Sequence, residues 1–498
     1  MNSALFWCQA NWNSRWAFWL SFAVACSIAN AVVFGADRES SVANGVGGTN
    51  RVNVDRCPIY EPAERNLRTL WRARAGSQIA SLSVGGGRIF VATNNKNPRD
   101  NSIQEDNGVV MCFDTNGNFL WQSVHGRLPR RTFDLPGAPI HSRPILDGKR
   151  VYYISNRGEL VCLDTDGFTD GKNDGPVMSE GRAERNDADV IWKIDLADRF
   201  GVMKRDASDV GTPNSVIAIA ENLLFCVTQH GKHPTPQSHA SSAASFLCLD
   251  KTSGAVQWIS NLPSTNIVYG QWSSPVVWKA LGGDTVMFPG GDGYLYAYYS
   301  RSNIIERAID LRIITRSDEQ QRAIADRYEP IPNWVPVASP TIVSNLLLIG
   351  CNWDFERPGK SPLAAFDLRD LNESRQPKWT FQDDDFESTF SSAIALDGIV
   401  FVLGWKGVLF ALNVNDGTEL WRSDLKNGRA SIHGGVYTAA GKLYVVTESM
   451  LTVFSTGPRA NCLGRYQFDG ANPTQPVVVG GVIYVACEDY VYAIRDQY

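Results

Sequence analysis

The sequence has no excess of positive charge. Its 47 lysines and arginines are outnumbered by 52 aspartates and glutamates, which gives a net charge of −5 at pH 7. Proteins that bind nucleic acids carry basic patches that neutralise phosphates. The charge balance therefore argues against nucleic acid as the partner.

Paired cysteine motifs are also missing. None of the ten cysteines lies in a Cys-x-x-Cys or Cys-x-x-Cys-His motif, and no two are adjacent. These motifs are typical of zinc ribbons, redox dithiols and covalently attached haem. The sequence therefore predicts none of these centres.

Long apolar runs are scarce, and the clearest one lies at the N-terminus. Arg15 precedes the apolar run Trp16–Ile28, and small residues follow it. This order is typical of a secretory signal peptide, with cleavage after Ala31 or Gly35.

Two alternatives stay open for this segment. The stretch Trp16–Phe34 is nearly long enough to cross a bilayer as an uncleaved anchor, and Cys26 could carry the lipid of a lipoprotein. All three interpretations place the rest of the chain outside the cytoplasm, in the periplasm or the cell envelope, and the last two tether it to a membrane. We therefore divide the chain into a signal peptide or membrane anchor (1–36), a flexible lead-in (37–66) and a folded domain (67–498).

Residues Phe390–Trp421 contain one complete unit of four short strands. Turns rich in Gly, Asp and Asn separate the strands at Asp397-Gly398, Gly404–Gly407 and Asn415–Gly417. Period-two alternation between such turns is typical of antiparallel hairpins. A four-stranded sheet this short cannot bury both faces alone, so it needs copies of itself on either side.

The copies are present around the whole domain. Units start near Ser77, His141, Thr212, Trp272, Val337, Phe390, Ile432 and Thr474. The eighth unit stops before its fourth strand, while the upstream segment Leu67–Arg72 carries the expected Trp71. Joining these two segments in one sheet explains both facts and leaves no open edge between first and last blades. The sequence therefore predicts an all-β fold: an eight-bladed β-propeller closed by an N-terminal strand, Leu67–Arg72, in the last blade.

Six cysteines recur at equivalent positions of the repeat. They lie at one position of the third strand (Cys112, Cys162, Cys248) or late in second strands (Cys226, Cys351, Cys487). Repeated placement predicts small buried apolar side chains rather than disulfides. Cys57 and Cys462 lie off this register, and the sequence leaves open whether they pair.

A large aromatic residue ends most units. The aromatic residues are Trp71, Trp121, Trp192, Trp258, Trp379, Trp421 and, as a weaker match, Tyr466. A ring of aromatic side chains at equivalent outer-strand positions predicts structural docking between blades rather than a functional site. The fourth unit, Tyr296–Leu311, has no tryptophan.

The repeated motif (Ala/Cys)-Leu-(Asp/Asn)-x3-Gly-x3-Trp resembles the tryptophan-docking repeats of pyrroloquinoline-quinone (PQQ)-type propellers. It occurs in Cys248–Trp258 and Ala411–Trp421. That superfamily includes the quinoprotein alcohol dehydrogenases and the outer-membrane assembly factor BamB. Segments such as Leu163–Pro176, Ser245–Trp258 and Gly270–Val277 are similar to exported PQQ-like repeat proteins of planctomycete bacteria.

The resemblance implies two function classes. BamB-like propellers use their surface for protein partners. Quinoprotein dehydrogenases use PQQ and Ca²⁺, with an Asp base, a Glu and an Asn on the calcium, and a vicinal disulfide against the quinone. Because adjacent cysteines and a haem motif are missing here, we favour an exported non-catalytic scaffold that binds protein partners or a small ligand. The alternative is a divergent PQQ- and calcium-dependent oxidoreductase, for which no catalytic residue is carried over.

Residues at or just before the first strand of each unit should point toward the mouth of the central channel. The candidates are His141, Arg143, Asn214, Trp272, Trp334, Phe390, His433 and Gln475. Aromatic side chains there would anchor a ligand, and the Arg and His side chains would orient a polar or anionic group. The alternative is that these side chains plug the channel.

The same end of the ring should carry three long loops between second and third strands: Thr93–Gly108, Thr228–Ser245 and Cys351–Pro362. Long loops on one face indicate a binding surface. All six histidines are expected there too. Three of them (His230, His233 and His239) share one loop, but their spacing is a weak metal signal.

A second candidate site is the acidic loop Leu163–Gly175, expected at the opposite end of the ring. Its four aspartates are Asp164, Asp166, Asp170 and Asp174. They offer the oxygen ligands that Ca²⁺ prefers, but Phe168 and Lys172 occupy would-be ligand positions of an EF-hand. The alternative is a solvated acidic turn.

Overall fold

The structure is a computed structural model that describes residues 32–33, 65–103, 107–126, 137, 139–202, 217–228, 243–267, 271, 273–280, 282–314, 336, 338–351, 361–369, 376–387, 389, 391–425 and 435–496. Apart from residues 32–33 and 65–66, the expected signal segment and lead-in lie outside this part of the chain. No helix within it is long and apolar enough to cross a membrane.

Eight four-stranded antiparallel sheets form a ring, as the sequence predicts. Contacts between neighbouring sheets are made by their first strands, for example β3 with β7 and β23 with β27. First strands therefore surround the axis. The strands of blades 1 to 4 are β3 Ser81–Gly85, β4 Arg88–Asn94, β5 Gly108–Asp114, β6 Phe119–His125; β7 Ile145–Asp147, β8 Arg150–Ile154, β9 Glu159–Asp164, β10 Val190–Asp195; β11 Ala218–Ala220, β12 Leu223–Val227, β13 Phe246–Asp250, β14 Val256–Ser260; β15 Val276–Ala280, β16 Gly283–Pro289, β17 Tyr294–Tyr299 and β18 Ile305–Asp310.

Blades 5 to 8 repeat the same order. Their strands are β19 Thr341–Val343, β20 Leu346–Gly350, β21 Leu363–Asp367, β22 Trp379–Phe381; β23 Ile394–Leu396, β24 Ile399–Leu403, β25 Val408–Asn413, β26 Glu419–Asp424; β27 Val436–Ala439, β28 Lys442–Val446, β29 Met450–Ser455, β30 Cys462–Gln467; β31 Val477–Val479, β32 Val482–Cys487 and β33 Tyr490–Asp496, with β2 Arg65–Arg74 as the fourth strand of blade 8. A helix, α1 (Leu196–Phe200), follows β10. The short strand β1 (Val32–Val33) pairs in parallel with β11.

The ring closes through β2, as predicted. Leu67 of β2 lies opposite Asp496 of β33, and Arg74 lies opposite Tyr490. The first two residues of β2 also pair in parallel with Gly464 and Arg465 of β30, so this strand joins blades 7 and 8. The outer edge of the last sheet is therefore supplied by the start of the domain.

Turn chemistry fixes the strand ends in blade 6. Asp397 and Gly398 both have positive φ (51° and 80°), the conformation of a two-residue type I′ hairpin turn that matches the twist of the flanking strands. Ile399 then lies opposite Leu396, which fixes the register of β23 and β24. Packed side chains fill the space between blades; one such layer contains Phe401, Leu403 and Leu443.

The register explains the repeated cysteines. Each third-strand cysteine lies directly opposite a tryptophan of its own blade (Cys112–Trp121, Cys162–Trp192, Cys248–Trp258). All six repeated cysteines are free thiols and buried. Burial raises the pKa of the Cys162 thiol to about 12, which keeps it protonated and unreactive at neutral pH. Cys57 lies outside the described residues, so its pairing with Cys462 stays untested.

Candidate functional site

The two ends of the ring differ in their connections. Because each blade is an antiparallel meander, the turns between first and second strands and between third and fourth strands lie at one end, which we name the turn face. The loops between second and third strands, and the connections from one blade to the next, lie at the other end, which we name the loop face. The predicted channel-mouth residues belong to the loop face.

Three of the eight predicted channel-mouth residues lie in the described part of the chain. His141, Arg143 and Gln475 are 3%, 1% and 7% exposed. The other five (Asn214, Trp272, Trp334, Phe390 and His433) lie outside the described residues. The described members therefore face protein rather than solvent.

Arg143 and Gln475 link blades 7, 8, 1 and 2 by hydrogen bonds across the ring closure. From its position before β7 of blade 2, its Nε donates to Ser83 Oγ of blade 1 (3.3 Å). Its Nη1 donates to Oε1 of Gln475, which precedes the first strand of blade 8 (3.0 Å). Gln475 in turn donates from Nε2 to the carbonyl oxygen of Val436 in blade 7 (3.1 Å). These bonds engage the Nε and Nη1 atoms of Arg143 inside the protein.

The charge of Arg143 is retained inside the protein. Burial lowers the pKa of its guanidinium to about 10, and the nearby Tyr437 partly offsets that effect. At neutral pH the side chain is therefore still a cation. A buried cation is tolerated when its N–H groups are hydrogen-bonded, and the bonds to Ser83 and Gln475 engage two of the three guanidinium nitrogens.

Hydroxyl groups fasten other blades near the same end. Ser273, just before blade 4, donates to the carbonyl oxygen of Ala338 before blade 5 (3.1 Å). Ser392, just before blade 6, donates to the carbonyl oxygen of Ser339 (2.6 Å). The small polar residues of the repeated start signals thus bridge neighbouring blades.

A polar network between blades 1 and 2 is a feature that sequence reasoning missed. His125 at the end of β6 lies with its Nε2 3.1 Å from Ser123 Oγ and 2.7 Å from the hydroxyl oxygen of Tyr153. Its Nδ1 lies 3.4 Å from Oε2 of Glu159, the first residue of β9. The available signal was the two-residue spacing of Ser123 and His125, which puts both side chains on one face of a strand.

The Ser–His–Glu order of this network does not make it a catalytic triad. Ser123 is only 8% exposed, and its hydroxyl accepts a hydrogen bond from Tyr153 (2.9 Å), so it is not open to a substrate. Burial acts to raise the pKa of Glu159, but the hydrogen bond and charge of His125 and the charges of Lys193 and Arg157 hold it at about 2. The ionised carboxylate is a structural anchor between blades.

At the turn face, six tryptophans dock in one repeated geometry. Each indole Nε1 donates to a backbone carbonyl in or just after the third strand's turn in the next blade, over 3.0–3.1 Å: Trp71–Thr115, Trp121–Thr165, Trp192–Lys251, Trp258–Ser300, Trp379–Val414 and Trp421–Gly457. A Cβ added to the turn glycine Gly417 would lie 2.6 Å from the Trp379 ring. Glycine there lets the turn approach the indole closely.

Blades 4 and 7 depart from this pattern. In blade 4, Arg307 lies opposite Ala297 at the docking position, and its Nη1 donates to the carbonyl oxygen of Leu368 in blade 5 (3.4 Å). In blade 7, Gly464 occupies the docking position and Tyr466 lies two residues further on. Tyr466 instead contacts blade 8 through its hydroxyl, 2.6 Å from Thr69 Oγ1.

Three of the four aspartates of the acidic loop lie against different basic side chains. Asp164 accepts from Arg150 (2.5 Å) and Asp166 accepts from Arg88 (2.9 Å), while Asp170 lies 3.4 Å from the ammonium group of Lys172. Asp174 instead donates its backbone N–H to Oδ2 of Asp189 (2.7 Å). Within the described residues, no group of three or more His, Cys, Asp or Glu side chains is arranged to hold a metal ion.

A family model described as the outer membrane protein assembly factor BamB matches residues 59–169 and 360–497, together half of the chain. The chain belongs to this PQQ-repeat BamB family. The matched segments cover blade 1, the first part of blade 2 and the region from blade 5 to blade 8. No curated protein matches the sequence.

Solved structures resemble the same ring. BamB from Moraxella catarrhalis is 15% identical, with a TM-score of 0.53 over 87% of this chain and 98% of that one. The computationally designed Ika8 protein is 10% identical, with a TM-score of 0.50 over 85% and 99%. Quinohemoprotein alcohol dehydrogenase ADHIIG from Pseudomonas putida HK5 is 12% identical, with a TM-score of 0.48 over 83% and 66%. At these identities the likeness to BamB and Ika8 shows the fold alone. The likeness to ADHIIG is too low to support any conclusion.

The channel-mouth residues of this BamB-family chain do not fit a PQQ–calcium centre. Calcium takes six to eight oxygen ligands, typically including carboxylates. No Asp or Glu occurs in the segments that lead into the first strands: 77–80, 141–144, 214–217, 272–275, 337–340, 390–393, 432–435 and 473–476. The side-chain amide of Gln475 and the hydroxyl of Ser83 already accept hydrogen bonds from Arg143.

Proposed function

We propose that this protein is a non-catalytic β-propeller, exported to the periplasm or cell envelope, that serves as a scaffold for binding or assembling other proteins. The observation that carries the proposal is the internal use of the channel mouth. Arg143, the only cation among the predicted channel-mouth residues apart from the histidines, is 1% exposed and donates from Nε to Ser83 and from Nη1 to Gln475. A site built to orient a small anionic substrate would leave such donors accessible.

The family supports a protein partner in preference to a redox cofactor. Its model carries the description of an outer membrane protein assembly factor, and a carboxylate-free channel mouth lacks the ligands and the base that the dehydrogenase resemblance implies. Protein–protein recognition needs neither group.

We propose the loop face as the partner surface. The long segments between second and third strands, expected at 93–108, 228–245 and 351–362, connect strands at this end, and loops on a rigid scaffold commonly carry binding residues. The contact residues that we propose are Asn214, Trp272, Trp334, Phe390 and His433, because aromatic anchors dominate the energetics of such interfaces. The buried His141, Arg143 and Gln475 are excluded from direct contact by their low exposure.

The test compares affinity capture by the tagged full chain with capture by a Trp272→Ala, Trp334→Ala, His433→Ala variant, using cell-envelope extract, cross-linking and mass spectrometry. A matched control carries three substitutions at exposed turn-face positions: Met178→Ala, Asn415→Ala and Arg459→Ala. We expect the loop-face variant to lose the proteins that wild type captures reproducibly and the control to keep them. Both variants are first checked for wild-type thermal unfolding.

The same preparations are titrated with PQQ and Ca²⁺, with absorbance and dye-linked alcohol oxidation as readouts. We expect neither saturable PQQ binding nor oxidation. Saturable binding accompanied by turnover would replace the scaffold with the oxidoreductase alternative. Capture that is unchanged in the loop-face variant would move the partner surface away from this end of the ring.

A further inference from the structure

We propose that the loop between β9 and β10 of blade 2 binds a calcium ion, with Asp189, Asn173 and Asp174 as side-chain ligands. This site lies at the turn face, away from the proposed partner surface, and it does not depend on the proposed function. Its ligand set also differs from the one that the aspartate spacing suggests, because only Asp174 is kept, and Asp189 and Asn173 take the place of Asp164, Asp166 and Asp170.

Two buried oxygen atoms define the site. Asp189 is 0% exposed; its Oδ2 accepts the backbone N–H of Asp174 (2.7 Å). Its Oδ1 and the Oδ1 of Asn173 are both buried, and neither has a hydrogen-bond donor among the described residues. A buried acceptor left without a donor costs about 1–3 kcal/mol. A cation between the two atoms would satisfy both.

The orientation of the Asn173 amide is fixed by its other end. Its Nδ2 donates to Oε2 of Glu180 (2.9 Å), and Oε1 of Glu180 accepts the backbone N–H of Val190 (3.2 Å). Exchanging the amide nitrogen and oxygen would place two oxygens against each other. The oxygen of Asn173 therefore stays on the side away from Glu180, as a ligand must.

Negative charge gathers around these oxygens. Asp164, Asp174 and Glu180 are near enough to Asp189 to act on it electrostatically, and the described side-chain contacts give only Asp164 a basic partner, Arg150. Unbalanced carboxylates in a buried setting repel each other unless a cation joins them. A divalent cation would supply the positive charge that Asp174, Asp189 and Glu180 lack among their described partners.

The donor chemistry selects calcium among common ions. The ligands are carboxylate and amide oxygens, with no His or Cys in the loop from Asp164 to Val190, which disfavours zinc and other soft metals. Ca²⁺ accepts irregular sets of six to eight oxygens that include main-chain carbonyls and water, whereas Mg²⁺ requires near-octahedral geometry. A glycine-rich loop with two side-chain carboxylates suits the former.

The experiment uses the purified full chain, freed of metal with a chelator and titrated with CaCl₂ by calorimetry. Terbium luminescence excited through tryptophan gives a second readout. Trp121 lies against the same loop, because its indole donates to Thr165 and a Cβ on Gly167 would lie 2.8 Å from its ring. Calcium should displace the terbium signal and raise the thermal midpoint, and magnesium at equal concentration should do neither.

Two variants test the ligands, and one serves as control. Asp189→Asn removes the buried charge with little change in shape, and Asn173→Ala removes the amide oxygen; each should weaken calcium binding at least about tenfold. Asp170→Asn, at the carboxylate that faces Lys172 in the same loop, should leave affinity within about twofold.

The proposal is overturned if the wild-type protein shows no saturable calcium binding up to about 10 mM. That concentration is well above the dissociation constants of the weakest extracellular calcium sites. Unchanged affinity in Asp189→Asn or, if that variant does not fold, in Asn173→Ala overturns it as well. Loss of affinity in Asp170→Asn equal to that in Asp189→Asn would also overturn it, since that result restores the set suggested by the spacing alone.

Discussion

Neighbouring blades are fastened in different ways at the two ends of the ring. At the turn face one contact recurs six times, with an indole N–H donating to a backbone carbonyl of the next blade, as Trp421 does to Gly457. At the loop face two contacts join particular side chains: Arg143 with Gln475 links blades 2 and 8, and His125 with Glu159 links blades 1 and 2. A backbone acceptor is present whatever the sequence of the turn, so the first kind can be repeated. A contact of the second kind needs two particular side chains, so each of these two belongs to a single place in the described part of the ring.

The largest expected effect comes from removing β2, because contacts at both ends of the ring depend on its closure. Deleting residues 1–75 removes β2, with its seven paired positions along β33 and the docking Trp71. The open ring should lose its cooperative thermal unfolding, because blade 8 loses its outer strand and the junction to blade 7. Deleting residues 1–50 keeps β2 and should melt like the full chain, measured by circular dichroism. Equal midpoints for the two truncations would contradict the closure.

The two kinds of contact also differ in how far they can be predicted from sequence. The strands of blade 6 and the docking tryptophans follow from local patterns: alternation, turn glycines and fixed spacing within about thirty residues. The turns expected at Asp397-Gly398 and Gly404–Gly407 separate β23, β24 and β25 in the structure. Arg307 was missed because a search for aromatic residues overlooks an arginine, although its backbone register is that of the tryptophans.

The site residues could be predicted less well, because their partners are distant in the chain. Arg143 and Gln475 lie 332 positions apart, and no periodicity connects them. The sequence placed both at the channel mouth but could not tell an exposed donor from one that is bonded. Likewise, the spacing of the aspartates in the acidic loop could not show that Asp166 and Asp170 face Arg88 and Lys172, or that Asp189 accepts the backbone N–H of Asp174.

Removing one turn-face contact should show what the repeated geometry contributes. Trp421 is 9% exposed and packs against Phe401 and Phe454, with ring centroids 5.9 and 6.1 Å away. Trp421→Ala should lower the free energy of unfolding by about 3–5 kcal/mol, measured by denaturant titration. Arg307→Ala is the matched variant at the same register. It should cost less, about 1–2 kcal/mol, because a 3.4 Å hydrogen bond to Leu368 and a 2.6 Å ion pair with Glu306 take the place of the buried ring.

Equal losses in these two variants would show that register, and not the aromatic ring, determines docking energy. A Trp421→Ala protein of unchanged stability that no longer captured its partners would assign this residue to function instead.

Acid should separate the loop face from the turn face. The pKa of Glu159 is held at about 2, below its ordinary 4.5. The ionised carboxylate is therefore more stable in the folded protein than in the unfolded chain. The stabilisation is complete above about pH 4.5 and is lost as the pH falls through about 2. Glu159→Gln should therefore cost about 2–3 kcal/mol at pH 7, and its difference from wild type should shrink steadily between pH 5 and pH 2.5.

Glu184→Gln, at an exposed position, is the control and should follow wild type throughout. The Trp421→Ala deficit should not change over the same range, because no ionisable group takes part in that contact. A Glu159→Gln deficit that is equally independent of pH would mean that the network stabilises blades 1 and 2 through packing and neutral hydrogen bonds, as the tryptophans do at the turn face.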